Sequence, residues 1–156
     1  MATETRPELD AHGQRFCLVA ARFNEVYVRR LVDGALAVLR ARGAAEDALE
    51  VTWVPGSFEL PLAARWAARC GRFDAVMAFG VLIRGETEHF RLIAEATTHG
   101  LMQVALECDV PVLHGVLAVN EAAHAAARSG EEHNRGAEVA LAAVQMAQLR
   151  RTGAAR

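Results

Sequence analysis

Four short apolar runs, each followed by a stretch of helical periodicity, limit what this chain can fold into more than any other feature of it. The first run, FCLVAARF from Phe16, has the length and flanks of a buried strand. Behind it, from Asn24, the apolar positions Val28, Leu31, Val32, Ala35, Leu36 and Leu39 recur at helical spacing, and Gly43 is placed to stop a helix. The unit repeats: residues 49–54 read as a strand and 57–68 as a helix, then 75–83 as a strand and 88–107 as a helix. A fourth strand is expected over 110–116, then a short helix capped by Asn120 and ending at Arg128, and a last helix over 137–149 after the polar loop SGEEHNRG. Uninterrupted apolar strands belong to a sheet covered on both faces, and strand–helix repeats join parallel strands through right-handed crossovers. The expected fold is therefore α/β, a three-layer α/β/α sandwich with a four-stranded parallel sheet.

At 156 residues the chain has room for one core of ordinary size, with 1–14 as a flexible arm, 15–150 as a single domain and 151–156 as a tail. It contains no lysine, so all 17 basic residues are arginines. That removes chemistries built on an ε-amino group, among them the pyridoxal phosphate Schiff base and the P-loop phosphate clamp. Against 19 acidic residues the net charge is −2, which lacks the basic footprint of a nucleic-acid binder. The apolar run 75–83 falls far short of the ~20 residues that cross a bilayer, and the polar, acidic start lacks the regions of a secretory signal. No nucleic acid and no membrane is expected as a partner, and the expected location is the cytoplasm. Cys17, Cys70 and Cys108 are too widely spaced for a CxxC motif, and the six histidines show neither HxxxH nor HExxH spacing, so no metal site is expected.

Ligands of open parallel sheets bind outside the carboxyl ends of the strands, which directs attention to ARFNE, VPGSFELP, GVLIRGETEH and HGVLA. In the third of these, Gly85 lets the backbone turn after the strand, and Glu86, Thr87, Glu88 and His89 open a helix. Free N–H groups at that helix start suit a phosphate if the carboxylates of Glu86 and Glu88 point away. Those acids are equally ordinary complements of the helix dipole, and His89 could be merely exposed. In VPGSFELP, Pro55 and Gly56 form a turn, and Glu59, in the first turn of the next helix, could accept sugar hydroxyls or simply cap it. Phe23 follows a strand directly and could stack on a planar heterocycle or join the core. Arg128, at a helix end, could complement the dipole or hold a phosphate in a bidentate contact.

Together these segments, RFN, VPGSFELP, GVLIRGETEHF, PVLHGVL and then RSG with NRG, resemble the 6,7-dimethyl-8-ribityllumazine synthase family from about Arg15 to Leu149. The resemblance implies a flavodoxin-like fold and an enzyme of the penultimate step of riboflavin biosynthesis. That step condenses 5-amino-6-(D-ribitylamino)uracil with 3,4-dihydroxy-2-butanone 4-phosphate and releases phosphate and two waters, with no cofactor. Position by position, it implies that Phe23 stacks on the pyrimidine, that Asn24, Ser57 and Glu59 meet the ribityl chain, and that Leu82 and Ile83 lie along the ring. It implies further that Gly85, Glu86 and Thr87 line the phosphate site, that His89 moves protons, and that Arg128 reaches the phosphate from a neighbouring subunit. The substrate brings its own amine, so a lysine-free chain loses nothing.

Two substitutions depart from the family's usual pattern. His114 stands where phenylalanine is frequent, which makes the neighbour's cover over the bound ring polar, and Arg135 replaces a frequent lysine near the phosphate, keeping the charge with a different reach. The SGEEHNRG loop differs from the glycine- and lysine-bearing loop of sixty-subunit cages, so a homopentamer with active sites between subunits is the expected assembly. A non-catalytic paralogue that binds a lumazine or flavin, or forms a shell, is the alternative; a pure scaffold would have no need to keep His89, Glu59 and Arg128 together.

Overall fold

The computed structural model describes residues 1–153. Four strands, β1 (Phe16–Ala21), β2 (Leu49–Val54), β3 (Ala75–Ile83) and β4 (Val112–Val119), form one sheet in the order β2-β1-β3-β4, with every pair parallel. Five α-helices complete it: α1 (Glu25–Ala41), α2 (Leu60–Arg69), α3 (His89–Cys108), α4 (Ala122–Arg128) and α5 (Arg135–Thr152). The three-layer α/β/α arrangement expected from the sequence is the one observed.

Strand periodicity explains the layers. Successive side chains of a strand point to opposite faces, and β1 and β3 divide accordingly. Phe16, Leu18 and Ala20 join Met77 and Phe79 in a core with Val28, Leu31 and Val32 of α1 and Val139, Ala140 and Ala143 of α5. Cys17, Val19 and Ala21 join Val76 and Ala78 in a second core with Leu60 and Ala64 of α2 and Leu101 and Val104 of α3. Burial on both sides is why these strands read as unbroken apolar runs.

Several boundaries differ from the sequence reading. β4 begins at Val112, not at 110, and runs on to Val119. Asp109, in the left-handed region at φ 53°, ends α3, and the Pro111 carbonyl accepts the Val76 N–H before the strand proper starts. The short helix α4 starts after Glu121, so Asn120 does not cap it. The last helix begins at Arg135, two residues before the expected start, because the Asn134 side chain caps it by accepting the Ala137 N–H at 3.1 Å. At the amino end, Ala11 and Gln14 are fully buried, and the Ala11 N–H bonds the Arg42 carbonyl, so order starts inside the stretch read as a flexible arm. At the other end α5 includes Arg151 and Thr152; the rest of the expected tail, 154–156, lies outside the described residues. No helix among the described residues is long and apolar enough to cross a membrane.

Candidate active site

The strand order puts β1 between β2 and β3, so the segments leaving these three strands converge at one end of the sheet. The chain reverses direction of travel between β1 and β3, the topological switch point where open α/β sheets bind ligands. A cavity of about 730 Å³ lies there, lined by Phe23 after β1, by Pro55 to Glu59 after β2, and by Leu82, Ile83, Gly85, Thr87, His89, Phe90 and Ile93 at the end of β3 and the start of α3. Of the residues expected from the sequence, eight meet in this cavity: Phe23, Ser57, Glu59, Leu82, Ile83, Gly85, Thr87 and His89.

Local bonding explains how each is held. Arg22 and Phe23 extend the β1–β2 pairing, their N–H groups bonding the Val54 and Pro55 carbonyls, which leaves the Phe23 ring 69% exposed at the mouth. Such a ring costs apolar exposure unless a planar ligand covers it. Asn24 adopts the left-handed conformation at φ 57° and donates its Nδ2 to the Val81 carbonyl at 2.7 Å, tying the start of α1 to β3 and leaving its Oδ1 as the group to offer a ligand. Asparagine is one of the few side chains that tolerates this conformation.

Ser57 opens a 3₁₀ turn, Ser57–Glu59, and is buried with its Oγ against the bare Cα of Gly80, where a Cβ would come within 2.5 Å of it. Its carbonyl accepts the Thr97 hydroxyl at 3.1 Å, a buried bond that docks the turn onto α3. Glu59 accepts the Gly56 N–H through Oε2 at 2.9 Å while its own N–H bonds the Gly56 carbonyl at 3.2 Å, closing the turn, and it remains exposed at the cavity wall.

At the start of α3 the Thr87 hydroxyl accepts the His89 N–H at 3.4 Å. Glu88 is drawn off by Arg91, whose Nε donates to it at 2.8 Å and which also binds Glu95 at 3.0 Å. The Arg91 guanidinium holds the Glu88 carboxyl below its usual range, so its charge is paired away from the cavity. An unpaired first-turn carboxylate would repel an anion; this one does so less, and the helix start faces a ligand with N–H groups beyond the one that Thr87 accepts. Glu86 is exposed beside this turn and is not part of the lining.

The other expected residues do not line this cavity. His114 lies on β4, an edge strand, where its Nε2 and the Thr98 Oγ1 are 2.9 Å apart. Burial, and secondarily the positive charge of Arg135, hold its imidazole below the ordinary value. Arg128 ends α4, exposed, with Nη1 on the His124 carbonyl at 3.3 Å, and Arg135 opens α5 paired to Glu138 at 2.6 Å. Two residues that organise the site were not singled out from the sequence: Thr97, which holds the Ser57 turn, and Phe90, which lines the cavity. Phe90 was within reach of the motif GVLIRGETEHF, whereas the partner of Thr97 is forty residues away in sequence and leaves no local signal.

With this geometry in view, comparison with known proteins is specific. The sequence pattern of the 6,7-dimethyl-8-ribityllumazine synthase family matches residues 13–151. The 6,7-dimethyl-8-ribityllumazine synthase of Halorhodospira halophila is 49% identical over 138 residues, which is 88% of each chain. That of Salinibacter ruber is 44% identical over 150 residues, 96% of each chain, and that of Clostridium kluyveri is 41% identical over 143 residues, 91% of this chain and 93% of the relative. Matches of that extent reach every segment that borders the cavity, and the chain belongs to the 6,7-dimethyl-8-ribityllumazine synthase family.

Proposed function

We propose that the cavity beside His89 condenses 5-amino-6-(D-ribitylamino)uracil with 3,4-dihydroxy-2-butanone 4-phosphate to give 6,7-dimethyl-8-ribityllumazine. The observation that carries this reading is the meeting, in one cavity at the switch point, of an exposed aromatic ring, a carboxylate and a histidine at a helix start. In the reaction the 5-amine of the uracil adds to the ketone and water leaves, forming an imine. Phosphate is then eliminated, and the ribitylamino nitrogen closes the second ring on the remaining carbonyl with loss of another water. Each step needs a proton moved and two small molecules held in place, and orientation plus a positioned acid–base supply both.

In this reading Phe23 stacks on the pyrimidine, with Leu82 and Ile83 along its edge. Asn24 Oδ1, Ser57 and the free oxygen of Glu59 take up the ribityl hydroxyls, Ser57 through its backbone because its hydroxyl is packed against Gly80. Gly85, Glu86 and Thr87 receive the phosphate through backbone N–H groups and the Thr87 hydroxyl, and His89 carries the protons. His114, Arg128 and Arg135 complete the site of a neighbouring subunit, a division supported by their position away from the cavity of their own chain. A homopentamer is the assembly this implies. It is supported by the large apolar side chains that α2 and α3 leave in water, Trp66, Leu92, Met102 and Leu106 among them, since monomers rarely keep such surface uncovered. A cytoplasmic location belongs to the same reading.

The test is direct. The purified chain, given both substrates, should raise the absorbance of the lumazine product well above the uncatalysed rate. A rate no higher than that of the substrates alone would defeat the proposal and leave ligand binding without catalysis as the function.

A further inference from the structure

We infer that Asn134 is a positioning residue for the phosphate step, holding Arg128 and Arg135 through a single carboxamide anchored on α1. The inference rests on the reading above, in which these two arginines serve the phosphate of the neighbouring site.

Arg128 and Arg135 stand at the two ends of the segment 129–134, the last residue of α4 and the first of α5. That segment is a closed turn. Ser129 and Asn134 form an isolated antiparallel bridge, and the buried Ser129 hydroxyl donates to the Ala125 carbonyl at 2.8 Å. Beside the Ser129 N–H on the Ala125 carbonyl, the Glu138 N–H on the Asn134 carbonyl and the His133–Glu138 pair, three ties run through the Asn134 side chain. Its Oδ1 accepts the Ala137 N–H at 3.1 Å, capping α5; its Nδ2 donates to the Arg30 carbonyl of α1 at 2.9 Å and more weakly to the Ser129 carbonyl at 3.4 Å. One carboxamide therefore joins the turn, the start of α5 and the α1 backbone at a single point.

The seat for that carboxamide is equally specific. Gly34, inside α1, leaves open the space it fills: a Cβ there would come 2.5 Å from the Asn134 Cγ and 2.6 Å from its Nδ2. A glycine inside a helix costs stability relative to alanine, so α1 carries a local penalty at the one point where Asn134 docks. Both arginines are exposed and are attached to the backbone next to this anchor. Their side chains are long and mobile, so the direction from which they reach an anion is set by the backbone they leave.

Two variants loosen the anchor without changing any charge. Asn134→Ser keeps an oxygen to cap α5 and removes the donor to Arg30, while Gly34→Ala leaves Asn134 intact and crowds it from α1. In steady-state kinetics each should raise KM for the butanone phosphate, and the inhibition constant of inorganic phosphate, by about tenfold, the scale of a small misplacement of binding groups. KM for the ribitylaminouracil should stay at the parent value. In an Arg128→Ala/Arg135→Ala background, adding Asn134→Ser should change the phosphate constant no further, since nothing is left to position.

Equal changes in both KM values, no change in either, or a further loss of phosphate affinity in the arginine-free background would each overturn the inference. Should Asn134→Ser fail to fold, Gly34→Ala decides the matter alone. Should the Arg128→Ala/Arg135→Ala protein bind phosphate as the parent does, the phosphate reading itself falls and takes this inference with it.

Discussion

Gly136 is the second residue of α5 and is buried where that helix crosses α1. A Cβ at this position would fall on the backbone of Leu31, 2.6 Å from its carbonyl carbon and 2.8 Å from its Cα, inside the 3.0 Å that real Cβ atoms essentially never breach. Backbone cannot rotate aside as a side chain can, so Gly136→Ala must push α1 and α5 apart. Behind the contact lie Val28, Leu31, Val32 and Ala35 of α1 with Val139, Ala140 and Ala143 of α5, all in one buried cluster. A gap of roughly 0.5–1 Å gives up a quarter to a half of each dispersion contact across it. Overpacking of this kind costs about 1–3 kcal/mol. Helix propensity opposes it, favouring alanine over glycine by ~1 kcal/mol in a helix interior and by less in a first turn. The net expectation is a loss of about 1–2 kcal/mol, which for a chain of this size is about 2–8 °C in Tm. Urea unfolding of parent and variant, followed by far-UV circular dichroism with matched m values, measures the difference. A variant as stable as the parent, or more so, would show propensity winning over packing and would refute the reasoning from close approach.

Three further outcomes follow from the site. His89→Ala should lower kcat by at least about tenfold with a smaller change in either KM, because a positioned acid–base is worth roughly 10²–10⁴; an unchanged kcat removes His89 from the chemistry. Thr97→Val leaves the buried Ser57 carbonyl without its donor and should cost about 1–3 kcal/mol in the same urea experiment, whereas a neutral result would mean that the turn is held by other contacts. Since burial and Arg135 hold the His114 imidazole below 6.5, the unfolded chain binds that proton more readily than the folded one. Its contribution is complete above that value and is lost as pH falls through it, so His114→Phe should flatten the decline of the urea midpoint at acid pH; an unaltered decline would assign it to other groups.

Much of this was legible in the sequence because the signals are local. A strand buried on both faces must be apolar throughout, and FCLVAA and AVMAFGVLI could be little else. The cavity residues were legible for a related reason: in a parallel sheet the chain leaving each strand is where ligands bind, so Phe23, Glu59 and His89 could be nominated from strand ends alone. Boundaries failed where tertiary contacts decide them. α5 starts early because Asn134 finds both its cap and its seat on α1, and that seat depends on Gly34, a hundred residues away in the chain. Thr97 was overlooked for the same reason, as an alcohol inside a long helix shows nothing of a carbonyl waiting on the turn after β2. Arg128 could be nominated from its place at a helix end, whereas Arg135 and His114 were nominated only through family resemblance; none of the three lines the cavity of its own chain.

The central claim, a condensation site divided between neighbouring chains, is tested by mixing subunits. His89→Ala keeps the arginine wall and loses the proton carrier, and Arg128→Ala does the reverse. Each alone should be nearly inactive when the butanone phosphate is kept well below the KM of the arginine variant. After dissociation and reassembly in equal amounts, a ring of head-to-tail interfaces, each joining one wall from either neighbour, places two intact walls together at about one site in four, and lumazine formation should recover to about that fraction of the parent rate. A mixture no more active than either variant reassembled alone would contradict the claim and place the whole site within one chain.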